Sequence, residues 1–111
     1  MNQNQNSVCL TGFAGADPVI VYFAEDKKMA RVNLGVHEFF RNSLGEMIEH
    51  TLWFSLIFWN GKVELVEQVV RKGAHLYIEG RLSAQHYIDK HGVKRYSTEI
   101  VVHKMELKPH S

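Results

Sequence analysis

Between Met29 and His37 the side chains alternate without a break: Ala30, Val32, Leu34 and Val36 fall on one parity, and Arg31, Asn33, Gly35 and His37 on the other. A period of two is the repeat of a β-strand with one buried face, and a helix does not produce it. Thr51 to Trp59 repeats the pattern with a chemical difference. Leu52, Phe54, Leu56 and Phe58 make a core face, whereas Thr51, Trp53, Ser55, Ile57 and Trp59 place two indoles on the side that also carries Thr and Ser. Both rings are therefore predicted to project from one sheet surface.

The rest of the chain fits around these two strands. Ser7 to Phe13 reads as a first strand, with Val8, Leu10 and Gly12 opposite Cys9, Thr11 and Phe13, and Gly15 to Pro18 ends it. Val19 to Phe23 is a β-branched and aromatic run, closed by the charged turn Glu25 to Lys28. Phe39 to His50, with Asn42-Ser43 and Gly45, reads as a long exposed hairpin tip. After Asn60-Gly61, Val63, Val66 and Val70 recur at helical spacing, with Gly73 placed as the stop and Arg71 and Lys72 in the last turn. Leu76 to Leu82 alternates as a strand continuing toward Tyr87, Asp89 to Gly92 is a turn, and Arg95 to Leu107 supplies the last strand. Three strands, a helix and two strands is the order of an all-β, five-stranded OB-fold, a Greek-key barrel with one short helix between strands 3 and 4. At 111 residues one domain is expected, over residues 7–107, between a flexible segment 1–6 and a short end 108–111.

Composition excludes more than it selects. Thirteen basic residues face twelve acidic ones, so global charge leaves the partner open. No apolar run approaches the roughly 20 residues of a membrane span, and Met1 to Asn6 lacks the pattern of a secretion signal. A single cysteine, Cys9, cannot form an internal disulfide, which points to the cytoplasm. The seven histidines are dispersed and one thiol builds no thiolate site, so no metal and no other cofactor is expected. Gly12-x-x-Gly15 leads into a strand, not a phosphate-binding helix, and Glu25-Asp26 and Glu46 with Glu49 sit in predicted turns. An enzyme is not expected.

Along residues 6 to 107 the chain resembles the bacterial single-stranded DNA-binding proteins. The resemblance is carried by Asn6-Ser7-Val8-Cys9-Leu10-Thr11-Gly12, then Gly15, Asp17-Pro18 and Tyr22, Asn33-Leu34, Thr51-x-Trp53 and Gly61-Lys62. It continues through Arg71-Lys72-Gly73, Tyr77-Ile78-Glu79-Gly80 and Tyr96-Ser97-Thr98-Glu99, in order and at nearly constant spacing.

That resemblance implies a protein that coats single-stranded DNA in replication, recombination and repair, stacking bases on Phe40, Trp53, Trp59 and Tyr87. Every base has a π face, so such binding tolerates any sequence. Candidate phosphate contacts are Arg31, Arg41, Lys62, Arg71, Lys72, Arg81, Lys94 and Arg95. Phe54, Ser55, Ser83, Gln85 and His86 stand where many relatives carry His, Arg or Lys, which implies a shallower salt dependence. The resemblance further implies a homotetramer with first strands pairing across subunits and Cys9 near that interface. Many members recruit replication and repair proteins through an acidic tail ending in Phe. This sequence stops at Lys108-Pro109-His110-Ser111 and shows no such tail, which leaves tail-mediated recruitment open. The alternative is a tail-less primosomal accessory protein of the same fold, dimeric and acting with replication-restart partners.

Overall fold

A computed structural model of the chain describes residues 5–109. Most of the expected N-terminal segment, residues 1–4, lies outside the described residues, as do His110 and Ser111 of the expected C-terminal end. Asn6 bridges the backbone of Leu82: its Nδ2 donates to the carbonyl at 2.9 Å and its Oδ1 accepts from the N–H at 2.8 Å.

Six strands and one helix follow in the order β1 (Val8–Ala14), β2 (Val19–Ala24), β3 (Lys27–Arg41), β4 (Met47–Trp59), α1 (Gly61–Val69), β5 (His75–Ile88) and β6 (Lys94–Leu107). The sheet runs β1-β5-β6-β4-β3-β2, and β1 also pairs with β3, which closes it. One edge of β3 is paired with β4 throughout. The other is shared end to end by β1, at Phe13↔Gly35 and Ala14↔Leu34, and by β2, from Val19↔Arg31 to Ala24↔Lys27. Two short strands thus do the work of one interrupted at Gly15 to Pro18, and the result is the expected closed five-stranded barrel with its single short helix. The parallel contact Leu56↔Ile100 and Ile57↔Val101 joins β4 to β6.

Alternation places the core. Val32 and Leu34 of β3, Leu56 and Phe58 of β4, Leu76 and Ile78 of β5 and Ile100 of β6 form one buried cluster, completed by Val63, Val66 and Val70. Each such side chain, fully buried, contributes about 1.5–3 kcal/mol. Phe54 only packs against this cluster, and Leu52, expected in the core, is 37% exposed because β4 has by then run past the barrel's end.

The helix stops before the expected glycine. Val70 is extended and fully buried, so α1 ends at Val69, and Arg71 and Lys72 lie beyond its last turn. Arg71 still serves the helix end, donating from Nη1 to the carbonyls of Glu67 (2.6 Å) and Val70 (2.7 Å). Gly73, at φ 88°, belongs instead to the tight turn that returns the chain to β5.

The expected long tip over Phe39 to His50 is mostly ladder: β3 and β4 stay paired out to Arg41↔Met47, leaving only residues 42–46 as a turn. The alternation of partly polar residues beyond the barrel had disguised a two-stranded arm as a loop. A second arm is formed by β5 and β6, paired out to Ile88↔Lys94. Both tips have the same construction. Asn42 accepts on Oδ1 from the N–H groups of Leu44 (2.9 Å) and Glu46 (3.0 Å), and Asp89 accepts likewise from His91 (2.9 Å) and Val93 (3.0 Å).

Candidate nucleic-acid interface

One register row crosses five strands on the outside of the barrel: Val19, Arg31, Ile57, Val101 and Arg81 are neighbours in turn from β2 to β5. Sheet coiling makes this outer face concave, and the row lies along a groove of about 630 Å³. Phe23 and Trp59 line it toward one side, Ser83 and Gln85 toward the other. Ile57, grouped by parity with the outward residues, is only 2% exposed because Arg31 and Val101 flank it on the adjacent strands.

The two indoles emerge from this face of β4 in different settings. Trp59 is half-buried, with the Phe23 ring 5.8 Å away at 32° and the Lys27 ammonium 5.8 Å from the indole centre. Trp53, about 20 Å further along the strand, is 61% exposed and lies over glycine. A β-carbon on Gly15 would stand 2.5 Å from its Cζ3, and one on Gly35, its register partner, 3.0 Å from its Cη2. The Gly15 N–H donates to the Asn33 carbonyl at 2.9 Å, which holds that loop under the ring.

The same parity continues onto both arms. Tyr87, exposed and opposite Arg95, carries the face out along β5 and β6. On the other arm the residue sharing the face of Trp53 is Phe39, opposite Glu49. Phe40, paired with Ile48, turns to the other side and packs edge-to-face on His50 at 4.8 Å.

The candidate basic residues divide in the same way. Arg31 and Arg81 line the groove, and Arg95 and Arg41 lie on its face of the two arms. Arg41 donates from Nη1 to the Gly45 carbonyl at 3.0 Å. Arg95 holds Asp89 through Nε at 2.9 Å. The Asp89 carboxyl lies below its ordinary pKa, first because the Val93 N–H donates to it and then because of the Arg95 guanidinium. Lys94 has the opposite parity. Lys62 lines a separate cleft between α1 and β6, Arg71 closes the helix end, and the Lys72 N–H donates to Asp17 at 2.8 Å; none of the three lines the groove. Among the described residues no group of three or more His, Cys, Asp or Glu converges as a metal site, and no helix is long and apolar enough to cross a membrane.

Sequence reasoning had not singled out Phe23, Phe39, Gly15, Gly35 or Glu99 for this surface. Extending the period-two count through β2 would have found Phe23, whereas Phe39 lies past His37, where neither face is buried and parity gives no signal. The glycine seat and Glu99, whose carboxylate takes a 2.8 Å hydrogen bond from Arg31, depend on contacts between strands distant in sequence.

Comparison with known proteins agrees with this architecture. The Plasmodium falciparum SSB, solved in complex with single-stranded DNA, superposes with a TM-score of 0.85 at 25% identity, over 98% of this chain and 100% of that one. A deletion variant of the Thermus aquaticus single-stranded DNA-binding protein shares the fold with a TM-score of 0.82 at 21% identity, over 94% of this chain and 50% of that one. In sequence, "Single-stranded DNA-binding protein 1" of Xylella fastidiosa is 33% identical over 103 residues, which are 92% of this chain and 76% of that protein. The "Single-stranded DNA-binding protein" of Rhizobium meliloti is 40% identical over 99 residues, 87% of this chain but only 57% of the relative. The family model described as "Single-strand binding protein family" matches residues 5–108, the barrel and both arms together. With the fold, the sequence relatives and the family model in agreement over nearly its whole length, the chain belongs to the single-strand binding protein family.

Proposed function

We propose that this protein binds single-stranded DNA without strong sequence preference and protects it in replication, recombination and repair, acting as a cytoplasmic binding protein and not as an enzyme. The observation that carries the reading is the common face of Trp53, Trp59 and Tyr87, which runs over the groove and onto both arms. Bases stack on these rings, each stack contributing roughly 1–3 kcal/mol regardless of base identity. Basic side chains on the same face, Arg81 foremost, meet the phosphates and add the salt-sensitive part of the affinity. Relatives named as single-stranded DNA-binding proteins, and one solved with its DNA, support the same reading.

Assembly is part of the proposal. Among the described residues β1 pairs with β3 only at Phe13 and Ala14, so Val8 to Thr11 present one unpaired backbone edge to a second copy. An open strand edge is a template for pairing with another chain. We read the protein as a homotetramer in which this contact joins the chains in pairs. Light scattering should give the mass of four chains; a dimer favours the accessory role in replication restart.

The decisive experiment is tryptophan fluorescence during titration with oligo-dT at low and high salt. Stacked indoles are quenched on binding. An unchanged emission from protein that is folded by circular dichroism overturns the reading.

A further inference from the structure

Three charged side chains line the groove: Arg31 from β3, Arg81 from β5 and Glu99 from β6. A carboxylate has the wrong sign for a polyanion's binding site, and Glu99 is no stray surface charge. Its side chain is 12% exposed, and its Oε2 accepts a 2.8 Å hydrogen bond from Nη2 of Arg31, whose side chain is 42% exposed. Among the described residues no ion pair involves Arg81. Arg31, reaching from β3 across β4 to Glu99 on β6, is therefore neutralised, and Arg81 on β5 keeps its positive charge.

We propose that Glu99 masks Arg31 and so makes the groove electrostatically one-sided, drawing the DNA backbone to the Arg81 side and leaving the Arg31 side to the bases. The inference rests on the single-stranded DNA reading of this groove. A phosphate approaching Arg31 meets the Glu99 carboxylate within the same few ångströms, and the repulsion offsets the attraction. A neutral base loses nothing there. The pair thus disfavours the inverted arrangement, with backbone down and bases out, in which Trp59 would have nothing to stack.

The test is the salt dependence of oligo-dT binding, read by fluorescence anisotropy. It uses the wild-type protein, Glu99→Gln, and the double variant Arg31→Gln with Glu99→Gln. If the wild-type protein does not bind, the DNA reading itself fails. If it binds, Glu99→Gln should tighten binding several-fold at low salt and steepen the logarithmic salt slope by about 0.7, the increment for one more neutralised phosphate on a single strand. An abasic oligonucleotide of the same length should gain at least as much. The double variant should return to the wild-type slope. A weaker or unchanged Glu99→Gln, or a double variant whose slope is shallower than wild type by about 0.7, would mean that Glu99 only orients Arg31 toward a phosphate, and overturns the proposal.

Discussion

The indole of Trp53 rests on the bare backbone of Gly15, so closely that a β-carbon there would meet ring atoms Cζ3 and Cη2 at 2.5 and 2.8 Å. A large aromatic ring that is mostly exposed ordinarily samples several rotamers, and ordering it on binding costs free energy. The glycine seat holds it in place beforehand, with the six-membered ring against Gly15 and Gly35 and most of the indole open to a base.

Gly15→Ala should therefore weaken oligo-dT binding by much of one stacking contribution, roughly 1–3 kcal/mol. The ring can swing into solvent, so stability should change by only about 1 kcal/mol or less. Gly61→Ala is the control, since nothing lies within 4 Å of a β-carbon there. Fluorescence titration and thermal melting measure both effects; an unaltered affinity in Gly15→Ala refutes the role of the seat.

Trp53 and Trp59 should separate on the same two measurements. Trp53→Ala removes a ring that supports little of the fold, so affinity falls for all sequences alike while the melting temperature hardly moves. Trp59 is half-buried beside Phe23 and under the Lys27 ammonium, so Trp59→Ala should cost about 1–2 kcal/mol of stability besides its share of binding. A Trp53→Ala protein that melts as early as Trp59→Ala would contradict the exposed setting of Trp53.

The barrel was legible in the sequence wherever one face of a strand was buried, because burial enforces the period of two; Val32, Leu34, Leu56 and Phe58 announced themselves this way. The arms were not legible. Past His37 and before Thr51 neither face is buried, so Phe39 to His50 carried no hydrophobic parity and read as a loop although its ladder is complete. The outward indoles of β4 followed from parity, but the arginines were found only as a class. That Arg31 and Arg81 meet in one groove while Lys62 and Lys72 lie elsewhere follows from barrel closure, which joins residues far apart in the chain.

The two phenylalanines of the β3–β4 arm should respond to DNA length. Phe39 shares the face of Trp53, whereas Phe40 lies on the opposite side against His50. An oligonucleotide of about 10 nucleotides, within the reach of one OB-fold, should feel Phe39→Ala and not Phe40→Ala. A strand several times longer, able to pass around the arm, should lose affinity with either. Equal losses in the short oligonucleotide would place the DNA path differently.

Acid should loosen one arm tip before the other. Asp89 accepts from the Val93 and His91 N–H groups and pairs with Arg95, and its folded pKa lies below the ordinary value of about 3.9. A carboxyl whose pKa is depressed by folding stabilises the folded state fully above its unfolded pKa, and that contribution disappears as pH falls through the folded pKa. The β5–β6 tip should thus hold unchanged through neutral and mildly acid pH and loosen only below the usual carboxylate range. The tip at Asn42 makes the same two hydrogen bonds with an uncharged amide oxygen and serves as an internal control. Amide chemical shifts followed by NMR from pH 7 downward should show Val93 and His91 moving together with a midpoint below that of a free aspartate, and Asp89→Asn should abolish the step while preserving the turn. A midpoint at or above the free value would show that neither the backbone donors nor Arg95 holds the Asp89 carboxylate in solution.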